Sequence, residues 1–207
     1  MPDNYFQTVL TPAVQQAQDK YFGEHQIAEN APKGDELTQD EADFIASRDS
    51  FYIATVGETG WPYIQHRGGP PGFIKVLSPH LIGFADFKGN RQLVSTGNLT
   101  TTDRVALFLM DYPNRTRLKL LGRTRVLYGR EHPELVDQLA PESLRRKVER
   151  LFLIRVIGYD WNCPQYITPR FTASEVEKLI LPLKARIAEL EARLAARDGS
   201  PDLEKHR

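Results

Sequence analysis

The sequence predicts a mainly β (α+β) protein: an antiparallel barrel or sandwich with peripheral helices and a long helix at its C-terminal end. Three observations carry this. From Phe51, short runs rich in β-branched and aromatic residues ("FYIATVG", "WPYIQHR", "GFIKVL", "HLIGFAD") are separated by Gly, Pro and polar turns. Two longer runs, "DRVALFLMDY" and "RTRLKLLGRTRVL", follow. After residue 172, Val176, Ile180, Leu183, Ile187, Leu190 and Leu194 step by four, three, four, three and four, an apolar seam of about three heptads.

Each element has a local reason. Thr11-Pro12 starts a helix, with Thr as N-cap and Pro at the first helical position; Val14, Ala17 and Tyr21 follow at helical spacing. Residues 23–37 read as a loop. Thr38 and Glu41 form a capping box that opens a second helix carrying Ala42, Phe44 and Ile45. Pro62 is tolerable at the start of its strand. "KGNRQLVSTGN" reads as a short helix ended by a Gly-Asn pair. In the second of the two long runs, "RTRLKLLGRTRVL", Arg117, Lys119, Arg123 and Arg125 alternate with Leu and Val, so one face is basic and the other apolar. Residues 133–149 read as two short helices broken at Pro141, and "RLFLIRVIGY" as the last core strand. Pro164 and Pro169 keep "DWNCPQYITPRF" extended. Thr172 and Glu175 form a second capping box ahead of the heptad helix, which Pro182 should kink.

Bulk properties exclude several classes. With 27 basic and 27 acidic residues the net charge is zero, against a dedicated nucleic-acid or anionic-membrane binder. An apolar content of 41 % in 207 residues fits one sizeable domain with an extension, or two small ones. Cys163 is the one cysteine, so no intrachain disulfide forms, and nothing near it marks a nucleophile. No apolar run is long enough to span a bilayer, and the N-terminus lacks a signal-peptide pattern, so a soluble cytoplasmic protein is expected. The five His residues show no metal-ligand spacing, so no metal site is expected. No GxGxxG and no Walker A sequence is present.

Two stretches can carry chemistry. In "FADFKGNRQLV" a strand ends at Ala85-Asp86, Gly89 permits a turn, Asn90 is placed to cap a helix, and Arg91 and Gln92 fall in its first turn. Free N–H groups beside an Arg suit a phosphate; an ordinary strand-to-helix turn is the alternative. In "QHRGGPPGFIK", His66, Arg67 and Lys75 are chemically capable. Gly68 and Gly69 allow close backbone approach to a flat ligand, and a hairpin connection is the alternative. The basic 115–125 face either lines an anion pocket or is solvated.

In this order the parts resemble the pyridoxamine 5'-phosphate oxidase family, the FMN-binding split barrels, over residues about 40–171. The resemblance rests on "DSFYIATVGETGWPYIQHRGGPPGFIKVL", "LIGFADFKGNRQLVSTGNLTTTDRVALFLMDY" and "RTRLKLLGRTRVL". It implies a split β-barrel and non-covalent FMN at a homodimer interface. The family's Ser-Arg-Lys phosphate turn matches Asn90-Arg91-Gln92, with Arg91 retained and one charge lost at Gln92. By count from Ala85 and Asp86 the family's strand Lys falls on Lys75. Its Arg falls on Pro70, with Arg67 nearby to substitute. The segment His66–Phe73 would run along the isoalloxazine and ribityl. A family Gln that reaches the partner's flavin falls at Arg117, where a cation favours reduced, anionic flavin. The family's Arg-Leu-His-Asp-Arg substrate-phosphate segment is absent; Trp161 and Arg170 loosely replace its late Trp and Arg. The resemblance thus implies an FMN-dependent oxidoreductase acting on a small molecule, away from vitamin B6. A flavin-binding carrier or sensor without turnover is the second reading. Haem handling is a third, without a His placed as axial ligand. The expected organisation is an N-terminal helix and loop (1–37), the FMN-binding barrel (38–171), an amphipathic helix (172–198) and a disordered tail (199–207).

Overall fold

A computed structural model describes residues 3–28, 34–162 and 164–198. Part of the 23–37 loop, Cys163 and the 199–207 tail lie outside the described residues. The chain forms two compact units, Met1–Ile167 and Thr168–Arg207.

The first unit is built on strands β1 (Ser50–Val56), β2 (Pro62–Gly68), β3 (Ile74–Ser78), β4 (Leu81–Phe87), β5 (Arg104–Asp111), β6 (Thr116–Tyr128) and β7 (Val148–Asn162). Among the described residues they form one sheet in the order β2-β1-β5-β6-β7-β4-β3, antiparallel throughout. The hydrogen-bonded order ends at β2 and β3, which do not pair, and that gap is the split. The sheet nevertheless curls on itself: Phe51 on β1 meets Phe84 on β4 edge-on at 5.3 Å, and Phe84 stacks on Phe152 of β7 at 4.9 Å. Alternation sends Phe51, Ile53, Leu107, Leu109, Leu118, Leu120, Phe152 and Ile154 into this core. On β6 the same alternation turns Arg117, Lys119, Arg123 and Arg125 outward, as the sequence predicts. A bulge follows: Leu121 pairs Gly158 and Gly122 pairs Val156, leaving Ile157 extra. The Ile157 carbonyl accepts the Asp35 N–H at 3.2 Å.

Helices α1 (Asp3–Val9), α2 (Pro12–Phe22), α3 (Gln39–Ala46), α4 (Val94–Thr101) and α5 (Pro133–Leu139) decorate the barrel, and a 3₁₀ turn spans Glu142–Lys147. Thr11 caps α2, accepting the Val14 N–H, and the Thr38–Glu41 box opens α3. Helix α1 escapes sequence patterning. Asp35 holds it, accepting from the backbone N–H groups of Asn4, Tyr5 and Tyr159.

The second unit contains α6 (Ala173–Asp198), with Pro182 inside it and the Thr172–Glu175 box closed in both directions. No helix among the described residues is long and apolar enough to cross a membrane.

Candidate functional site

Period-two geometry places Tyr63, Gln65 and Arg67 of β2 on one face and Ile64 and His66 on the other. The first face meets α4. The Ser95 hydroxyl, 1 % exposed, donates to Gln65 Oε1 at 2.8 Å, and Asn98 Nδ2 donates to Thr55 Oγ1 on β1 at 2.9 Å. These two bonds clamp α4 over β1 and β2. They also hold the connecting turn 88–93 above β2.

The turn departs from the sequence expectation. Asn90 does not cap a helix whose first turn holds Arg91 and Gln92. Its Oδ1 accepts the Gln92 N–H at 3.1 Å, closing a local side-chain turn, and Arg91 and Leu93 both take left-handed backbone (φ 63° and 54°). The helix therefore begins later, at Val94, with Leu93 as N-cap. Gly97-Asn98 does not end it either. Gly97 donates to Leu93 O, Asn98 is anchored on Thr55, and α4 continues to Thr101.

Between turn, helix and strand lies a polar cleft of about 220 Å³ lined by Tyr63, Gln65, Arg67, Asp86, Arg91 and Arg150 among others. Asp86, 8 % exposed, sits between two guanidiniums. Arg67 Nη1 lies 2.5 Å from Oδ1, and Arg150 Nε and Nη2 lie 2.9 and 2.8 Å from Oδ2. Arg150 faces Asp86 because β4 and β7 pair in that register. Arg67 reaches Asp86 from β2, a strand with no hydrogen-bonded link to β4, so this ion pair bridges the split. The Arg67 guanidinium also lies over the Phe152 ring at 5.3 Å, and its Nε is buried with no hydrogen-bond partner. Arg150 Nη2 also lies 3.2 Å from Glu149, outside the lining, so Arg67, Arg91 and Arg150 against Asp86 and Glu149 leave one surplus positive charge.

The structure thus gathers Arg67, Asp86, Asn90, Arg91 and Gln92 in one place. It does not bring the other candidates there. Ala85 is buried in a separate apolar cluster with Leu139 and Leu151. "GGPPGF" forms a tight turn: Phe73 N–H donates to Pro70 O at 3.0 Å, with Pro71 and left-handed Gly72 (φ 81°) at its two central positions. Gly69 presses on Phe73, where a Cβ would lie 2.6 Å from the ring, and Phe73 stacks on Phe51 at 5.8 Å. Gly68 and Lys75 are exposed, and Lys75 lines a different cleft with Pro70–Phe73 and residues 137–141.

His66 and Arg117 face the outside of the sheet. His66 lies edge-on to Tyr52 at 5.6 Å, and the Arg117 guanidinium lies over Phe108 at 5.8 Å. Between them Tyr52, Ala54, Ile64, Ala106, Phe108 and Leu121 frame an apolar hollow of about 490 Å³. Two more cations of the basic face are ion-paired, Lys119 with Asp160 at 2.6 Å and Arg123 with Asp103 at 2.8 Å, and Arg125 is exposed.

Trp161 donates from Nε1 to Glu41 Oε1 at 2.6 Å and packs edge-on against Phe44 at 4.8 Å, tying β7 to α3. Burial pushes the Glu41 carboxyl up, but the Thr38 hydroxyl, the Trp161 indole and the Thr38 amide outweigh it and hold it below its usual value. Arg170 is exposed and belongs to the second unit.

Sequence reasoning missed Tyr63, Gln65, Ser95 and Arg150. The Tyr63/Gln65/Arg67 alternation was readable; the Arg150–Asp86 pairing needs the β4–β7 register, which no local pattern encodes. Among the described residues, no group of three or more His, Cys, Asp and Glu is placed to hold a metal ion.

Several solved structures align with this chain at low identity. HupZ of Group A Streptococcus aligns at 12 % identity over 65 % of this chain and 99 % of its own, with a TM-score of 0.46. An FMN-binding protein of Syntrophomonas wolfei aligns at 12 % over 58 % and 81 %, with a TM-score of 0.44. A Clostridium acetobutylicum protein related to general stress protein 26 of B. subtilis, of the pyridoxinephosphate oxidase family, aligns at 14 % over 66 % and 94 %, with a TM-score of 0.44. No curated protein matches the sequence. The model of the family described as pyridoxamine 5'-phosphate oxidase matches residues 37–153, more than half of the chain, and the chain belongs to that family.

Proposed function

We propose that this protein binds FMN non-covalently, with the phosphate end in the Arg67–Arg91–Arg150 cleft, and acts as a flavin-dependent oxidoreductase of a small molecule. One observation carries this reading: three guanidiniums line a cleft whose own lining holds a single carboxylate, Asp86, with Glu149 pairing Arg150 from outside it. The residues fit the group. Arg67 retains a buried Nε donor without a partner, and left-handed Arg91 and Leu93 hold the turn in the strained form that ligand clamps often use. Arg91 would contact the phosphate, Asn90 would fix the turn, and Arg67 and Arg150 would supply the field. When bound, FMN supplies hydride or electron transfer.

The cleft, about 220 Å³, is smaller than the ~300–1,000 Å³ of most small-molecule pockets, so one copy offers a seat for the phosphate end alone. The reading is therefore a homodimer. A second copy would cover the apolar outer face, where Ile64 is 67 % and Tyr52 39 % exposed. His66 and Arg117 on that face would then approach the partner's cofactor, and Arg117 would favour an anionic, reduced flavin.

The test is FMN titration by flavin fluorescence. Arg91→Ala should weaken binding by about 1.5–3 kcal/mol, the scale of a charge-assisted hydrogen bond. Unchanged affinity refutes the phosphate seat, and a wild-type protein that takes up no FMN refutes the whole reading. A carrier or sensor without turnover has one observation in its favour: Trp161, the residue expected at the substrate, is committed to Glu41 and Phe44. Anaerobic NADH and NADPH decide between them. Bleaching of bound flavin supports the oxidoreductase, and tight FMN binding without reduction supports the carrier.

A further inference from the structure

Helix α6 presents an apolar stripe to solvent. Ile180 is 38 %, Leu183 63 %, Ile187 55 %, Leu190 41 % and Leu194 57 % exposed. We propose that this stripe pairs with α6 of a second copy as a parallel, in-register two-stranded coiled coil.

The seam's residue types favour two parallel strands. With Ile180 at heptad position a, the a positions are Ile180, Ile187 and Leu194 and the d positions are Val176, Leu183 and Leu190. The four central layers, Ile180, Leu183, Ile187 and Leu190, have Ile at a and Leu at d, the pattern of parallel dimers, and only the end layers Val176 and Leu194 depart from it. Pro182 falls at c, so its missing N–H and its bend lie off the seam.

Charge sets the direction. The flanking g positions hold Leu179, Arg186 and Arg193, and the e positions hold Glu177, Lys184 and Glu191. In a parallel pair each g residue meets the e residue five positions on in the other strand, so Arg186 meets Glu191, an attractive contact made twice by symmetry. Inverting one strand about the middle of the seam instead sets Arg186 against Arg186, Lys184 against Lys184 and Glu177 against Glu191. All three are repulsive. In the single chain Arg186 rests on Glu189 at 2.6 Å, but both are more than half exposed, so that pair is weak and free to exchange. Glu175, Glu177, Glu189 and Glu191 interleave with Lys178, Lys184, Arg186 and Arg193, which disfavours an anionic lipid surface as the occupant. Leu181, at b, is not accounted for by the seam.

Three heptads are short for an isolated coiled coil. If the barrels pair as proposed above, the tether raises the local helix concentration to roughly millimolar. The direction and register argument does not depend on that pairing.

The experiment is disulfide trapping in the full chain carrying Cys163→Ser. Leu190→Cys, at d, should cross-link to its own copy about tenfold faster than Ala192→Cys on the outer face, as the geometric limits of a disulfide demand. Arg186→Glu should slow trapping, and adding Glu191→Arg should restore it. Equal rates at 190 and 192, as expected if the stripe sits on its own barrel, overturn the proposal. So does trapping confined to mixtures of Ile180→Cys with Leu190→Cys, which marks antiparallel strands. Light scattering on the same proteins separates the two interfaces. A dimer without trapping at 190 removes the coiled coil and leaves the barrel pairing. Trapping at 190, with Ile187→Glu/Leu190→Glu becoming a monomer, supports the coiled coil and removes the barrel pairing.

Discussion

Asp86→Asn separates the structural role of the cleft from its proposed ligand-binding role. The carboxylate accepts from Arg67 Nη1 at 2.5 Å and from Arg150 Nε and Nη2 at 2.9 and 2.8 Å. The side chains are 9 %, 16 % and 12 % exposed, so solvent screens the cluster little. Asn preserves the volume but keeps one acceptor oxygen and turns an NH₂ group toward the other guanidinium. Arg67 is then left without its counter-ion in a poorly solvated place, and Arg150 keeps only the more exposed Glu149 at 3.2 Å; breaking a buried pair of this kind typically costs about 3–5 kcal/mol. At about 2–4 °C per kcal/mol for a unit of this size, the melting temperature should fall by roughly 6–20 °C. The variant also carries more unneutralised positive charge in the cleft. Phosphate or FMN should therefore raise its melting temperature more than that of wild type. Thermal unfolding with and without each anion reads both effects. A loss below about 1 kcal/mol would show that the bridge is solvated rather than closed. Equal anion shifts in the two proteins would refute the placement of the phosphate against Arg67 and Arg150.

Gly122→Ala should destabilise by about 1–3 kcal/mol, because a Cβ there would lie 2.5 Å from Ile154 Cγ2 and 2.9 Å from the Arg155 carbonyl at the β6–β7 bulge. An unchanged urea midpoint would show that the bulge relaxes freely. Alkaline stability should depend on Lys119 and Tyr159. Burial alone would lower the Lys119 ammonium, but Asp160 and Tyr5 outweigh it and raise it, while burial, with Glu41 and Asp35 adding, pushes the Tyr159 hydroxyl up to about 12. Both groups hold their protons more tightly folded than unfolded. Their contribution is complete below the unfolded values, near about 10, and is lost as pH rises through the folded ones. The melting temperature should fall above about pH 10, and Tyr159→Phe, which has no proton to lose, should flatten that fall. An identical slope in the variant would refute the assignment.

What the sequence made legible was whatever a neighbour two, three or four residues away determines. The alternation in β1, β5 and β6 sorts Phe51, Leu107 and Leu118 inward and Arg117, Lys119, Arg123 and Arg125 outward. The Thr11 cap and the Thr38–Glu41 and Thr172–Glu175 boxes are equally local. Misplacing the start of α4 was a competition between local devices. Asn90 has the residue type of a helix cap, yet its side chain closes a turn on Gln92, and left-handed Arg91 and Leu93 delay the helix to Val94. Long-range items were hidden for another reason. Arg67 meets Asp86 across the split, Arg150 meets it from 64 residues away, and Trp161 meets Glu41 from 120 residues away. None follows without knowing that β7 lies between β6 and β4.

The same topology gives the Gly- and Pro-rich run between β2 and β3 a definite task. Those strands are the two edges of the sheet, so the chain must pass from one side of the split to the other without a ladder to guide it. Pro71 and Gly72 fix the turn, Gly69 lets the chain close onto Phe73, and Phe73 on Phe51 anchors the crossing in the core. Arg67, just before the run, and Asp86, at the end of β4, then pin the split polar to polar. A cleft that opens beside this pin has guanidiniums that are already partly desolvated and held by the barrel itself. A phosphate arriving at the proposed seat would therefore meet groups whose ordering cost was met in folding, so the residues that close the split would also preorganise that seat.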